Sequence, residues 1–198
     1  MTNKQRFQQI VKDKITRNGI DELMNWLEQT DFFLAPASTV HHQAYVGGLC
    51  EHSLQVYDFL CEEVRSTVWH VSDETVAVVA LFHDLIKINT YTKDTRNVKN
   101  PATGQWEKVP YWKYTDNWGL GHSEGSVFLI QRFIGLSTEE AAVIGSHMGF
   151  SDARFKGGSS CINTAFSKYP LSVLLHIADL KSTYLFQKTL DNSSTVML

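Results

Sequence analysis

The sequence predicts an all-α helical bundle interrupted by one β-hairpin. Three observations lead there. Apolar residues recur at helical spacing through most of the 198 residues, as in Leu49, Val56 and Leu60, whose face His52 shares. One stretch, VAVVALFHDLI, is apolar nearly all round, the mark of a central buried helix. Only residues 89–118 break the pattern, with β-forming residues on both sides of a turn signal, Asn100-Pro101-Ala102-Thr103-Gly104.

The elements follow in order. Residues 4–29 read as two short amphipathic helices broken near Asn18 and Gly19, with Leu23, Trp26 and Leu27 forming the stripe of the second. Residues 30–47 form a loop around Pro36 that ends in Gly47 and Gly48. A helix over 49–64 turns His52 inward. Asp73 and Glu74 open the apolar helix, where acidic side chains suit the positive end of the helix dipole. That helix carries His83 and Asp84 near its C-terminal end. After the hairpin, Gly119 to Gly121 lead into a helix over 123–134. Ser137 and Glu140 match a capping box, which starts a helix ending near His147. A glycine-containing loop occupies 149–160. Pro170 suits the first turn of a last long helix, reaching about Lys188 and carrying Asp179. The tail DNSSTVML is expected to fray.

These elements are expected to make one domain over 1–198. N-terminal helices occupy 1–40, a helical core 41–185, and the hairpin at 89–118 is inserted into that core. Hydrophobic residues make up 43% and charged residues 20%, ordinary values for a globular chain. The net charge of -3 argues against binding extended duplex nucleic acid, though not against a local basic patch. The longest apolar run, 76–82, is too short to span a membrane, and the polar start MTNKQRFQQI lacks the apolar core of a signal peptide. Cys50, Cys61 and Cys161 form no CxxC pair, so a reducing cytoplasmic setting is expected rather than a disulfide framework.

Chemistry concentrates in scattered single residues: His52, His83, Asp84, His122, His147 and Asp179. Ionisable groups on core-facing positions are costly unless paired or bound to metal. Taken singly, each histidine reads as an ordinary buried residue. Spread over several helices of one bundle, the six point to one shared polyvalent partner, a pair of divalent metal ions. Imidazole and carboxylate suit several metals (Fe, Mn, Ni, Co or Zn, with Mg for the carboxylates), and a carboxylate can bridge two ions where an imidazole nitrogen serves one. Two ions so held lower the pKa of a shared water and clamp a phosphoryl group.

The ordered set resembles the HD superfamily of metal-dependent phosphohydrolases, in its binuclear branch. The words HHQAYVGGLCEHSLQVY, ALFHDLIKIN, GHSEGSVFLIQRF, SHMGF and LLHIADLKSTYL carry the resemblance, which covers roughly residues 41–185. It is closest to short stand-alone HD proteins of bacteria and phages. The resemblance implies an HD-domain bundle in which His52, His83, Asp84 and Asp179 hold the first ion. Asp84 bridges to the second, which His122 and His147 complete. It also implies that Lys87, in the word HDLIK, sits near the substrate phosphate. The family word GHGEKS is replaced here by GHSEGS, so Ser123 and Gly125 stand where a glycine and a lysine are expected and a cationic contact is lost.

Other residues carry two readings each. Lys87, Lys93, Arg96, Lys99, Lys108 and Lys113 face only Asp94 and Glu107 within 87–113, and Tyr91, Trp106, Tyr111, Trp112 and Tyr114 are interleaved with them. Either the hairpin contacts a nucleotide at the site mouth, with Lys93 and Arg96 on its phosphates, or its rings pack it onto the helices. Arg154 and Lys156, in SDARFKGGSS, either close on a phosphate or lie in a solvated loop. His176 supports the site or is a plain core or surface histidine. Glu51 and Glu124 serve ligands or solvent, His41 and His42 touch substrate or not, and His70 is exposed. No P-loop, HExxH or Rossmann signal is present.

The expected function is therefore hydrolysis of a phosphoester in a nucleotide or short oligonucleotide, by a metal-bridging hydroxide, with Asp84 and Lys87 as catalytic residues. The alternatives are a di-iron oxygenase of the same superfamily, and a non-catalytic nucleotide-binding or sensor protein that keeps its metals.

Overall fold

Helix starts are chemically marked along this chain. Thr2 accepts from the Gln5 backbone amide while the Gln5 side chain returns to the Thr2 amide, so a capping box opens α1 (Asn3–Lys14). Ser72 caps α4 (Asp73–Phe82) through the Thr75 amide, and Asp73 and Glu74 fill its first turn. The predicted Ser137–Glu140 capping box opens α6 (Thr138–Ser146). Pro170 stands at the start of α9 (Pro170–Tyr184), where a missing amide hydrogen costs nothing. Between these lie α2 (Ile20–Glu28), α3 (Gly48–Arg65), α5 (His122–Gln131), α7 (Ala153–Lys156) and α8 (Cys161–Lys168). Strands β1 (Tyr91–Lys99) and β2 (Trp106–Tyr114) form an antiparallel pair. The computed structural model describes residues 1–39 and 43–185. His41, His42, the predicted helix end at Lys188 and the tail lie outside the described residues.

The protein is thus mostly helical with one small two-stranded hairpin. Its core is continuous from α1 to α9. Phe7, Phe32 and Phe82 meet edge to face, at 5.1 Å and 5.8 Å from the Phe7 ring, and fasten α1 onto the central α4. All residues from Val76 to Ile86 are buried, as an all-round apolar helix requires. α3 packs on both α4 and α9, and α6 on α5 and α9, so the ligand-bearing faces converge around α4. Arg17, in the α1–α2 connection, forks onto the buried Glu140 of α6 at 2.9 Å and 3.0 Å and ties the N-terminal layer to the far side of the core.

Two predicted elements need correction. The central helix was expected to run through Ile86, but it ends at Phe82. Asp84 adopts φ -109° and ψ 21°, and Leu85–Lys87 form a 3₁₀ turn. Consecutive helical side chains point about 100° apart. Leaving the helix at this point lets His83 and Asp84 aim at one centre. The second correction concerns 149–160, expected as a loop. It contains the 3₁₀ turn Gly149–Ser151 and α7, capped by Asp152, and α8 follows where no element was assigned. The 3₁₀ turn and α7 are too short to show helical periodicity, whereas α8 carries it in Ile162, Ala165 and Phe166.

The hairpin is as expected. The turn is closed by Asn100, whose side-chain oxygen accepts from the Ala102 and Thr103 amides, with Gly104 at φ +70°. Tyr91 pairs with Tyr114 and Lys93 with Trp112. β1 is exposed from its second residue onward, so the hairpin projects from the bundle. No described helix is long and apolar enough to cross a membrane.

Candidate metal centre

Six side chains from five segments meet at one point. α3 supplies His52, the end of α4 supplies His83 and Asp84, the first residue of α5 is His122, His147 closes α6, and α9 supplies Asp179. His52, His83 and His147 are buried, as is Asp84, while Asp179 and His122 keep 17% and 33% of their side-chain exposure. The three buried imidazoles therefore form a floor. Asp84, His122 and Asp179 face a cavity of about 490 Å³ that Lys87 also lines.

Asp84 sits between two groups of histidines. Its Oδ2 lies 3.4 Å from Nε2 of both His52 and His83, and its Oδ1 lies 2.9 Å from His122 Nε2 and 3.6 Å from His147 Nε2. Asp179 Oδ1 is 3.2 Å from His52 Nε2. Ligands about 2.0–2.2 Å from one ion sit roughly 3–3.5 Å from each other at the angles of a tetrahedral or octahedral site. The observed separations match such edges. His52, His83 and Asp84 make one donor triad and Asp84, His122 and His147 a second, each within 4.8 Å. His83, His147 and Asp179 make a third triad across them.

The ring nitrogens facing away from the centre show how the donors are prepared. Nδ1 of His83 donates to the Ala80 carbonyl at 2.9 Å, and Nδ1 of His147 donates to the Ile144 carbonyl at 2.7 Å. A carbonyl can only accept, so Nδ1 carries the hydrogen and the Nε2 lone pair of the neutral ring is turned inward. Both Nε2 atoms are buried without a hydrogen bond among the described residues. Buried polar atoms are normally satisfied. Two such lone pairs, aimed at one shared carboxylate, fit a metal ion as the partner.

His52 is prepared through a longer chain. Its Nδ1 lies 3.0 Å from Ser182 Oγ, and that hydroxyl donates to Gln55 Oε1, also at 3.0 Å. The hydroxyl hydrogen being used, the serine oxygen receives the Nδ1 hydrogen of His52. Gln43 Nε2 donates to the same Gln55 oxygen at 2.7 Å, and Gln55 Nε2 reaches Glu51. Ser182 and Gln55 were not singled out in the sequence. The signal was present: Gln55 is three residues after His52, and Ser182 three after Asp179, so each lies one turn from a ligand on the same helix face.

Charges are set by this crowding. Burial alone would raise Asp84 and Asp179. Lys87 and the imidazoles hold Asp84 well below the usual carboxylate range, and His52 with its neighbours does the same for Asp179. Burial would lower Lys87, but Asp84, 2.6 Å from its Nζ, outweighs this and raises it. Burial would likewise lower His52, but Asp179 and Asp84 raise it, whereas for His122 burial prevails and lowers it.

α5 is locked against this turn by small residues. The Ile86 amide donates to Ser126 Oγ at 3.2 Å, and a Cβ on Gly125 would come within 2.3 Å of Ile86 Cδ1. Gly125 thus permits the close approach that brings His122 to Asp84. His176 donates from Nδ1 to the His147 carbonyl at 2.7 Å and lines the cavity, so it supports the His147 segment. Gly149, at φ +54°, lies under its ring.

Not every expected residue reaches the cavity. The Arg154 guanidinium is engaged by Asp152 at 2.7 Å, by Glu124 at 2.7 Å and by the Gly145 carbonyl. It borders a separate cavity of about 250 Å³. Lys156 is exposed on α7. Lys93 and Arg96 line a groove beside the metal cavity rather than the cavity itself. Glu124 pairs with Arg154, Glu51 reaches the cluster through Gln55 and Ser182, and His70 is exposed. Scans against protein-family models, curated proteins and solved structures find no match for this chain.

Proposed function

We propose that the protein is a metal-dependent phosphohydrolase of the HD type, acting on a phosphoester in a nucleotide or short oligonucleotide. The observation that carries this reading is Asp84: one carboxylate offers separate oxygens to two histidine pairs and holds a lysine ammonium beside the cavity. The ordered ligand set resembles the binuclear HD pattern, which supports the same reading.

His52, His83, Asp84 and Asp179 would hold one ion and Asp84, His122 and His147 the other. Two divalent ions there supply an activated water and charge neutralisation at phosphorus. The residues of the chain do the rest. Asp84 fixes the spacing of the two groups. The Nδ1 hydrogen bonds of His52, His83 and His147 keep their rings from turning. Lys87 stands over the cavity and can take a phosphoryl oxygen, where charge develops as the ester bond breaks. The partly exposed edges of His122 and Asp179 leave the approach open on that side. Water adds to phosphorus, and the alcohol oxygen leaves with a proton.

The test joins metal analysis to a screen of phosphomonoesters and phosphodiesters. Wild-type protein should carry up to two divalent ions and turn over at least one substrate class. Asp84→Ala should lose metal and turnover together while helical circular dichroism persists. Normal turnover in that variant would eliminate the mechanism. Oxygen consumption by iron-loaded protein without any phosphoester cleavage would assign the oxidative chemistry instead.

A further inference from the structure

The hairpin separates two hollows that share a wall. The metal cavity is bounded by the first rung of the hairpin, Tyr91 and Tyr114, whose rings meet at 5.7 Å. Beyond it lies a groove of about 430 Å³, lined by Thr39, Ala44, Lys93, Arg96, Tyr111 and Trp112. Thr39 borders both hollows. On one face of the sheet the Tyr91–Tyr114 rung is followed by the Lys93–Trp112 rung, since side chains two residues apart share a face. That step is about 7 Å along the strands, comparable with the step from one nucleotide to the next.

The chemistry of the groove is as directed as its position. Lys93 Nζ lies 5.4 Å from the centre of the Trp112 ring, and the Arg96 guanidinium 5.5 Å from that of Tyr111. The Trp112 indole is held by a hydrogen bond from Nε1 to the Ala44 carbonyl, which fixes the plane of the ring. Across 87–113 six cations face two anions, in a chain whose net charge is -3. The hairpin does little for the core. Its strands are exposed along most of their length, and Trp106 and Tyr114 keep 70% and 50% of their surface. A two-stranded hairpin is marginal on its own, and aromatic rings with cations on an exposed ribbon are a poor stability device. They are a suitable surface for unpaired bases and phosphates, because every base has a π-face and every linkage a charge.

We propose that this groove is a second subsite, which holds the nucleotide next to the reacting phosphate, so that the preferred substrate is a single-stranded oligonucleotide rather than a free mononucleotide. The proposal rests on the phosphohydrolase reading for the role of the metal cavity. The reacting phosphate lies at Asp84 and Lys87, the strand passes Thr39, and the next base stacks at Trp112, the ring that shares a face with the Tyr91–Tyr114 rung. Lys93 and Arg96 leave their rings to take its phosphates.

The test is fluorescence anisotropy with the full-length protein in EDTA, where no hydrolysis occurs, using fluorescein-labelled dT6 and U6. Unlabelled dT6 or U6 should displace the probe at a concentration at least tenfold below that needed of dTMP or UMP. Trp112→Ala should weaken binding by about tenfold or more, the loss of one base stack. The double variant Lys93→Glu, Arg96→Glu changes only exposed side chains. It should lower the slope of log affinity against log salt by about 1.4, the share of two phosphate contacts on a single strand. Preference for dT6 or for U6 assigns DNA or RNA. Equal displacement by dT6 and dTMP would overturn the subsite, as would wild-type affinity in both variants. Displacement by tripolyphosphate as effective as by dT6 would leave a polyanion site without base recognition, and also overturns it. Turnover of bis(p-nitrophenyl) phosphate by metal-loaded wild type tests the hydrolase reading separately, since that diester reaches only one subsite.

Discussion

Ser182→Ala removes one hydroxyl and tests the metal assignment without touching a ligand. In the native arrangement the hydroxyl oxygen accepts from His52 Nδ1 and its hydrogen goes to Gln55. Both His52 and Ser182 are fully buried. Removing the acceptor leaves a buried N–H with nowhere to turn, a cost of about 1–3 kcal/mol. Part of that cost falls on the folded protein whether or not metal is bound. The remainder appears as lost metal affinity, because the ring turns more freely and its Nε2 is a poorer donor. Loss of such an outer hydrogen bond typically weakens metal binding about 10–100-fold, which corresponds to roughly 1.4–2.7 kcal/mol. The assay is competition with a chromophoric chelator, read beside thermal unfolding. Ser182→Thr keeps the hydroxyl and should recover most of the affinity. The reasoning fails if Ser182→Ala binds metal within threefold of wild type while remaining folded. It fails equally if threonine restores nothing at unchanged stability.

Three further outcomes are expected. Lys87→Ala should lower kcat about 10²–10³-fold, the usual loss when one group that stabilises developing charge is removed, while Lys93 and Arg96 substitutions should act mainly on KM. Gly149→Ala places a Cβ within 2.5 Å of the His176 ring at a φ of +54°. It should destabilise the fold by about 1–3 kcal/mol and displace His176 from the His147 carbonyl, which NMR of the imidazole nitrogens would show. Burial alone would raise Glu140, but Arg17, the Ser137 amide and Thr75 hold it below 4.5. A depressed folded-state value means this contribution is present above about pH 4.5 and is lost as pH falls through the lower value. Urea melts should show a loss of stability in that window that is absent in Glu140→Gln, and Arg17→Ala should cost about 3 kcal/mol at neutral pH.

The helices that build the floor of the site were legible because their signals are local. Capping residues Ser137 and Glu140, the acidic first turn at Asp73 and Glu74, and Pro170 each mark a start within four residues. The six ligand candidates were legible for a different reason. A histidine or aspartate on an apolar face needs a partner, and six of them in one bundle share the cheapest one. What stayed hidden depends on distant contacts. That Asp84 leaves the helix follows from the need to face His122 and His147, contributed by other segments. That Gly125 is a packing glycine follows from Ile86, some forty residues earlier. Arg154 carried the charge expected of a phosphate ligand, but Asp152, two residues away, and Glu124 engage it first. Charge pattern reports which cations exist, and only the fold reports which are already spent.

That distinction bears on what the cavity can accept. Among the ionised groups at the cluster, Asp84 and Asp179 supply two negative charges and Lys87 one positive, so with neutral imidazoles a single negative charge remains. Adding two divalent ions turns this into a net excess of three positive charges inside a largely buried pocket. An uncompensated charge of that size is expensive to bury. Two kinds of anion can offset it: a deprotonated water and an anionic substrate group held against Lys87. A neutral polyol would leave most of the excess standing, whereas a phosphoester brings its compensation with it. On the reading proposed above, the hairpin cations would complement this charge: a strand that delivered one phosphate to the ions would have others to neutralise, and Lys93 and Arg96 line the groove beside the cavity.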